Sequence, residues 1–178
     1  MPRPPAQLDA GGLYEKAVRA LARRGRSEVE LRRLLKPRAA RADDVEAVLS
    51  RLREHGYLDD ARLAQTVAGY QKEVLYHGRA RAARDLRARG LAPEVADQAV
   101  AAAYAEDGGG AGGEDALLRA YVRKKRLRRP EDLRQAASLY RKLRTAGFSG
   151  GAAQRGLRAW KLNPEWLELI ESSEDETP

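Results

Sequence analysis

The sequence predicts an all-α protein: an elongated tandem array of three three-helix repeats with a short extra C-terminal helix. Three observations carry this prediction. The 178 residues include 32 Ala, 23 Leu and 27 Arg, all strong helix formers, against only 9 Val, 1 Ile and 3 Thr. Strands want β-branched and aromatic side chains, so a substantial sheet is excluded, and with it an all-β or Rossmann-type fold. Apolar residues recur at helical spacing between Gly and Pro punctuation, and the same order of segments returns after about 50 residues, as in Val45 against Val95. Leu, Ile, Val and Phe together make up only 34 residues, so the core should be thin and Ala-rich.

Residues 1–11 hold three prolines and several small residues and read as a flexible lead. Leu13, Ala17 and Leu21 then mark an amphipathic helix ending at Gly25. Ser27 and Glu30 make a capping box for a second helix with stripe Leu31, Leu34 and Leu35, which Pro37 ends. Asp43 or Asp44 opens a third, with stripe Val45, Val48, Leu49 and Leu52. Gly56 stops it in a left-handed C′ position, and Tyr57 and Leu58 fold back. This is the first repeat, 12–58.

The second repeat, 59–107, starts with Asp59 or Asp60 as the cap of a helix with stripe Leu63, Val67, Tyr70 and Val74. Gly78 separates it from a short basic helix over about 79–89 that leaves through Gly90-Leu91. Pro93 starts the next, with Val95, Ala99 and Ala103 inward. Residues 108–113 hold five glycines and read as a mobile linker. The third repeat, 114–162, begins with a helix over about 115–128 carrying Leu117, Leu118, Tyr121 and Val122. A helix from Pro130 follows with Leu133, Ala137, Tyr140 and Leu143, leaving through Gly147-Phe148. A third holds Ala153, Leu157 and Trp160. Asn163-Pro164-Glu165 then caps a short acidic helix with Trp166, Leu167 and Ile170, in the closing segment 163–178. The repeat is clearest at its second exit, where 86–92 lies over 143–149 without a gap and Val100 falls on Leu157. The first repeat departs there, with Lys36-Pro37-Arg38 in place of the glycine turn.

The net charge of +8 is polarised: +5 over 1–58, −1 over 59–107, +10 over 108–161 and −6 over 162–178. Such asymmetry points to a polyanionic partner or an acidic protein surface. The densest cluster is Arg119, Arg123, Lys124, Lys125, Arg126, Arg128 and Arg129, with Arg119, Arg123 and Arg126 spaced to share a helix face. A second patch is Arg79, Arg81, Arg84, Arg87 and Arg89. Arg and Lys in these patches suit phosphates or carboxylates. Tyr121 and Tyr140 lie in apolar stripes and read as core, so base stacking is not expected.

Chemistry finds little support. There is no Cys and only two His, His55 and His77, each next to a glycine at a helix end. Asp59-Asp60 reads as a cap and a first-turn acid rather than a catalytic pair. The glycine run lacks the Lys-Ser/Thr and the preceding strand of a phosphate loop. No run approaches a membrane span and no signal peptide is evident. The reading is a cytoplasmic, non-enzymatic protein that uses no cofactor and does not enter the membrane.

Gly56-Tyr57-Leu58-Asp59-Asp60-Ala61-Arg62-Leu63-Ala64, with Arg26-Ser27-Glu28-Val29-Glu30-Leu31-Arg32 upstream, resembles the RecX family of bacterial RecA regulators. The likeness covers about 13–161. Leu63 stands where the family usually has Phe, and the 108–113 run and the acidic tail look like additions. The resemblance implies tandem three-helix repeats that bind RecA, lodge in the groove of the RecA–DNA filament, and suppress ATPase, strand exchange and coprotease activity. It implies a monomer whose basic patches meet acidic protein surface and exposed phosphates, with single- or double-stranded DNA as a further direct partner. The same basic patches would also serve a stand-alone, helix-turn-helix-like DNA- or RNA-binding protein.

Overall fold

A computed structural model describes residues 7–105 and 111–175. Asp9 starts α1 (Ala10–Arg23): its carboxylate accepts the Gly12 N–H, one of the four orphan donors of a helix start. The capping box forms at α2 (Glu28–Leu35), where Ser27 Oγ accepts the Glu30 N–H and the Glu30 carboxylate accepts the Ser27 N–H. A 3₁₀ turn at Lys36–Arg38 carries Pro37 and leads to α3 (Ala42–Glu54). Next come α4 (Asp60–Glu73), α5 (Arg79–Ala88), α6 (Pro93–Ala105), α7 (Ala111–Lys124), α8 (Leu133–Thr145), α9 (Gly150–Arg158) and α10 (Pro164–Asp175). Among the described residues there is no strand, only a single parallel bridge between Leu8 and Ala39.

The chain packs as two compact units, Met1–Thr66 with Asp85–Ala99, and Val67–Arg84 with Val100–Pro178. The first is centred on Leu13, Ala17, Leu31, Leu35, Val45, Val48, Leu49, Leu52 and Leu58. Burying each large aliphatic side chain of this kind contributes about 1.5–3 kcal/mol. The second is centred on Tyr140, Leu143, Phe148 and Leu157, joined by Leu118, Tyr121, Leu167 and Ile170. Tyr121 and Tyr140 are therefore core residues, and α10 lays its apolar face onto α8 and α9.

Several expectations need correcting. Of the lead, 1–6 lie outside the described residues, but Leu8 is anchored: its N–H donates to Arg38 O at 2.7 Å and its carbonyl accepts from Ala40 N at 2.9 Å. Arg41, not Asp43 or Asp44, is the α3 N-cap. It makes no side-chain cap bond, and the two acids sit in the first turn. The buried face of α4 is Ala64, Ala68 and Gln71; Leu63 and Val67 are half-buried, while Tyr70 and Val74 are 53% and 41% exposed. On α6 the inward residues are Ala96, Ala99, Val100 and Tyr104. Of the glycine run, 108–110 lie outside the described residues, and Gly112 and Gly113 belong to α7, which begins and ends four residues earlier than expected. Asp132 caps α8, so that helix starts at Leu133 rather than Pro130.

The glycine exits aligned in the sequence adopt one geometry. Gly90 has φ +81° and Gly147 φ +93°, and each turn closes by two bonds to its own helix. Gly147 sits against the start of α5. Gly78 N donates to Ala146 O at 2.9 Å, Ala80 N to Gly147 O at 3.3 Å, and Arg84 Nη2 to Thr145 O at 2.8 Å. Orphan donors of one helix start thus meet orphan acceptors of another helix end. Gly90 sits in the same way against the start of α2. Ser27 Oγ donates to Arg89 O at 2.5 Å, and Arg89 Nη2 donates to Gly25 O at 2.7 Å and Glu30 Oε2 at 2.9 Å.

Candidate basic docking surface

The two basic patches meet different fates. In the second, most guanidinium groups bind partners within the fold. Arg79 Nη2 donates to Tyr104 O at 3.1 Å at the end of α6, and Arg84 binds the end of α8. Arg87 pairs with Asp97, and Arg89 with Glu30. Arg81 is half-buried beside Tyr121. Cations at helix C-terminal carbonyls complement both the orphan acceptors and the helix dipole. Burial raises the Glu30 carboxyl, but the Arg89 hydrogen bond, the Ser27 N–H and the charges of Arg89 and Arg24 outweigh it. The group is held below the usual carboxylate range.

The first patch divides. Lys124 Nζ donates to Val74 O and lies over the Tyr76 ring, and Lys125 lies over Tyr121. Arg129 Nη2 donates to Lys161 O at 3.2 Å. Arg126 does not share a face with Arg119 and Arg123, because α7 ends at Lys124. Arg126 occupies the left-handed C′ position at φ +50°, with its N–H on Arg123 O and the Leu127 N–H on Val122 O. Arg119 and Arg123 remain, one turn apart on α7, exposed and with no ion-pair partner among the described residues. They edge a groove between α7 and α9 that also holds Arg155 and Trp160. Arg155 is matched by Asp115, with Nε and Nη2 within 2.9–3.1 Å of the carboxylate oxygens, and that pairing raises its pKa.

Arg128 lies on a second, more polar groove, where Arg134 and Lys142 of α8 join it. Sequence reasoning missed Arg134 and Lys142; their spacing of eight on the outward face of a helix was the available signal. Asp59 and Asp60 act structurally. Asp59 accepts the Arg62 N–H, and Asp60 accepts the Glu28 N–H at 3.0 Å, with burial raising its pKa. His55 Nδ1 lies 2.8 Å from Tyr14 Oη, and His77 Nδ1 bonds Gln71 Oε1. Among the described residues no group of three or more His, Asp or Glu could hold a metal ion, and no helix is long and apolar enough to cross a membrane.

No protein-family model matches the chain. Whole-length relatives do. The regulatory protein RecX of Ralstonia nicotianae is 30% identical over 155 residues, covering 87% of this chain and 89% of that one. RecX of Herbaspirillum seropedicae is 30% identical over 161 residues, covering 90% and 96%. RecX of Pseudomonas putida is 36% identical over 132 residues, covering 74% and 80%. A crystal structure of RecX from Lactobacillus salivarius superposes with a TM-score of 0.68 at 15% identity, over 87% of this chain and 98% of that one, which shows a shared helical fold. With 30% identity sustained along nearly the whole of two relatives, the chain belongs to the RecX family of regulatory proteins.

Proposed function

We propose that this protein is a non-enzymatic regulator that binds RecA, seats in the groove of the RecA–DNA filament and suppresses RecA ATPase, recombinase and coprotease activity. The observation that carries the reading is the pair Arg119 and Arg123: exposed, adjacent and unpaired among the described residues, on a chain related to RecX proteins over most of its length. Two like charges one helical turn apart repel unless an anion meets them. A filament offers anionic groups at regular intervals, so weak contacts add through effective concentration. On this reading the trios 12–58, 59–107 and 114–162 are successive contact modules, acting in the cytoplasm as a monomer. The groove of Arg128, Arg134 and Lys142 supplies a second cationic contact.

The test is RecA ATPase on single-stranded DNA with the wild-type chain and with Arg119→Glu/Arg123→Glu. The wild type slows the ATPase, and the double reversal raises the half-inhibitory concentration by about tenfold or more, as loss of charge-assisted pairing requires. Undiminished inhibition removes these residues from the account. A wild-type chain that leaves the ATPase unchanged, yet binds DNA alone sequence-selectively with a steep salt slope, returns the protein to the stand-alone DNA-binding class.

A further inference from the structure

The groove between α7 and α9 is mostly apolar, which a purely electrostatic docking surface does not require. Leu118, Val122, Ala159 and Trp160 line it around a volume of about 280 Å³. That is below the usual span of small-molecule sites and leaves room for one or two side chains. Gly156 lets α9 lie close over Leu118: a Cβ there would come 2.9 Å from Leu118 Cδ2, so that side chain would have to shift. The charge around the groove is uneven. At one end Asp115 already holds Arg155, and Glu114 holds the Ser149 N–H and hydroxyl at the α9 start. At the other, Arg119 and Arg123 are exposed without ion-pair partners among the described residues.

We propose that this groove is a docking slot for an acidic peptide segment carrying one large apolar side chain. The apolar side chain enters between α7 and α9, and the flanking carboxylates pair with Arg119 and Arg123. Arg presents a planar fork that matches carboxylates bidentately, and the apolar anchor adds the selectivity that charge alone lacks. Nucleic acid fits the slot less well: apart from Trp160 the apolar lining is aliphatic, so successive bases find no run of stacking planes. The inference rests on the regulator reading only in taking the partner to be a protein.

The test uses the full chain and a fluorescein-labelled peptide of Asp and Glu with one central Phe, followed by anisotropy at low salt. Controls are the same peptide with Ser for Phe and an oligothymidylate of equal charge. The Phe peptide binds about tenfold or more tighter than the Ser peptide. Ala159→Phe fills the slot from an exposed position without changing charge, and it weakens Phe-peptide binding by about tenfold or more, as does Arg119→Glu/Arg123→Glu. Ala159→Met replaces Ala159→Phe if the latter lowers the urea midpoint. Oligothymidylate affinity is unchanged by the slot-filling variant. No peptide binding, equal binding of both peptides, or indifference to the filled slot overturns the proposal. So does a charge reversal that weakens only the oligonucleotide, which would make the surface a nucleic-acid contact. RecA ATPase is measured in parallel: suppression that persists without peptide binding sinks the slot and leaves the regulator reading standing.

Discussion

Gly147→Ala should be far more damaging than Gly56→Ala, although both glycines end helices with the same hydrogen-bond pattern. Gly56 has φ +71° and nothing within 4 Å of a would-be Cβ. Alanine there costs only the left-handed penalty, about 1–2 kcal/mol. Gly147 bears the same penalty at φ +93°, but its Cβ would fall 2.3 Å from Arg81 N, 2.6 Å from Arg81 Cβ and 2.7 Å from Gly78 O. Two of those atoms are backbone, so the start of α5 must move away from the end of α8. The bonds from Gly78 N to Ala146 O and from Ala80 N to Gly147 O then break or lengthen. Each is worth about 1 kcal/mol net. The expected total is about 3–4 kcal/mol, a large part of a typical 5–15 kcal/mol stability. Urea unfolding followed by circular dichroism measures both variants. If they agree within about 0.5 kcal/mol, the close approach is not what requires the glycine, and the reasoning fails.

Arg126→Gly should stabilise by about 1 kcal/mol, a rise of roughly 2–4 °C in Tm, because it relieves a non-glycine residue at φ +50°. A lower Tm would mean that the Arg126 side chain makes a needed contact. Glu30 has a lowered folded pKa, so its contribution is full above the unfolded carboxylate pKa and is lost as pH falls through the lowered folded value. Glu30→Gln should therefore reduce the loss of stability in acid, seen as a flatter pH profile of the urea midpoint. Asp60 runs the other way: its raised folded pKa gives a contribution present below the unfolded pKa and lost as pH rises through the folded one. Asp60→Asn keeps an oxygen acceptor for the Glu28 N–H, so at pH 7 it should be neutral or stabilising. A loss beyond about 1 kcal/mol would contradict the cause assigned to the shift.

Helix identity was legible because Ala, Leu and Arg leave few alternatives, and the α3 stripe of Val45, Val48, Leu49 and Leu52 is buried as spaced. Helix orientation was legible only where large apolar residues cluster. Of the stripe read for α4, Leu63 and Val67 are only half-buried and Tyr70 and Val74, the latter just past the helix, are exposed, while Ala64 and Ala68 form the buried face. An alanine face lets a neighbouring backbone approach closely but leaves no signature of size. The basic cluster was legible as charge, yet which cations are free was not. The partner of Lys124 is the carbonyl of Val74, and that of Arg129 the carbonyl of Lys161. Backbone acceptors have no residue type, so distant sequence cannot announce them.

The same distinction explains the exit that departs from the repeat. A left-handed helix end does not by itself demand glycine: Arg126 after α7 and Lys161 after α9 hold φ +50° and +51°. Gly90 and Gly147 differ in what lies against them. A Cβ on Gly90 would meet Val29 Cβ at 2.6 Å, and one on Gly147 would meet Arg81. Val29 and Arg81 each stand in the first turn of a helix three helices earlier in the chain, α2 and α5 respectively. Glycine is therefore a requirement of the joint rather than of termination. The exit of α2 takes another form. Its turn, Lys36-Pro37-Arg38, is held by Leu8 through Arg38 O and Ala40 N, and proline is tolerated there because it stands at the start of a 3₁₀ turn, where an N–H would have no partner within the turn. Glycine at the α5 and α8 exits and proline after α2 thus follow what packs against each turn, not the need to end a helix.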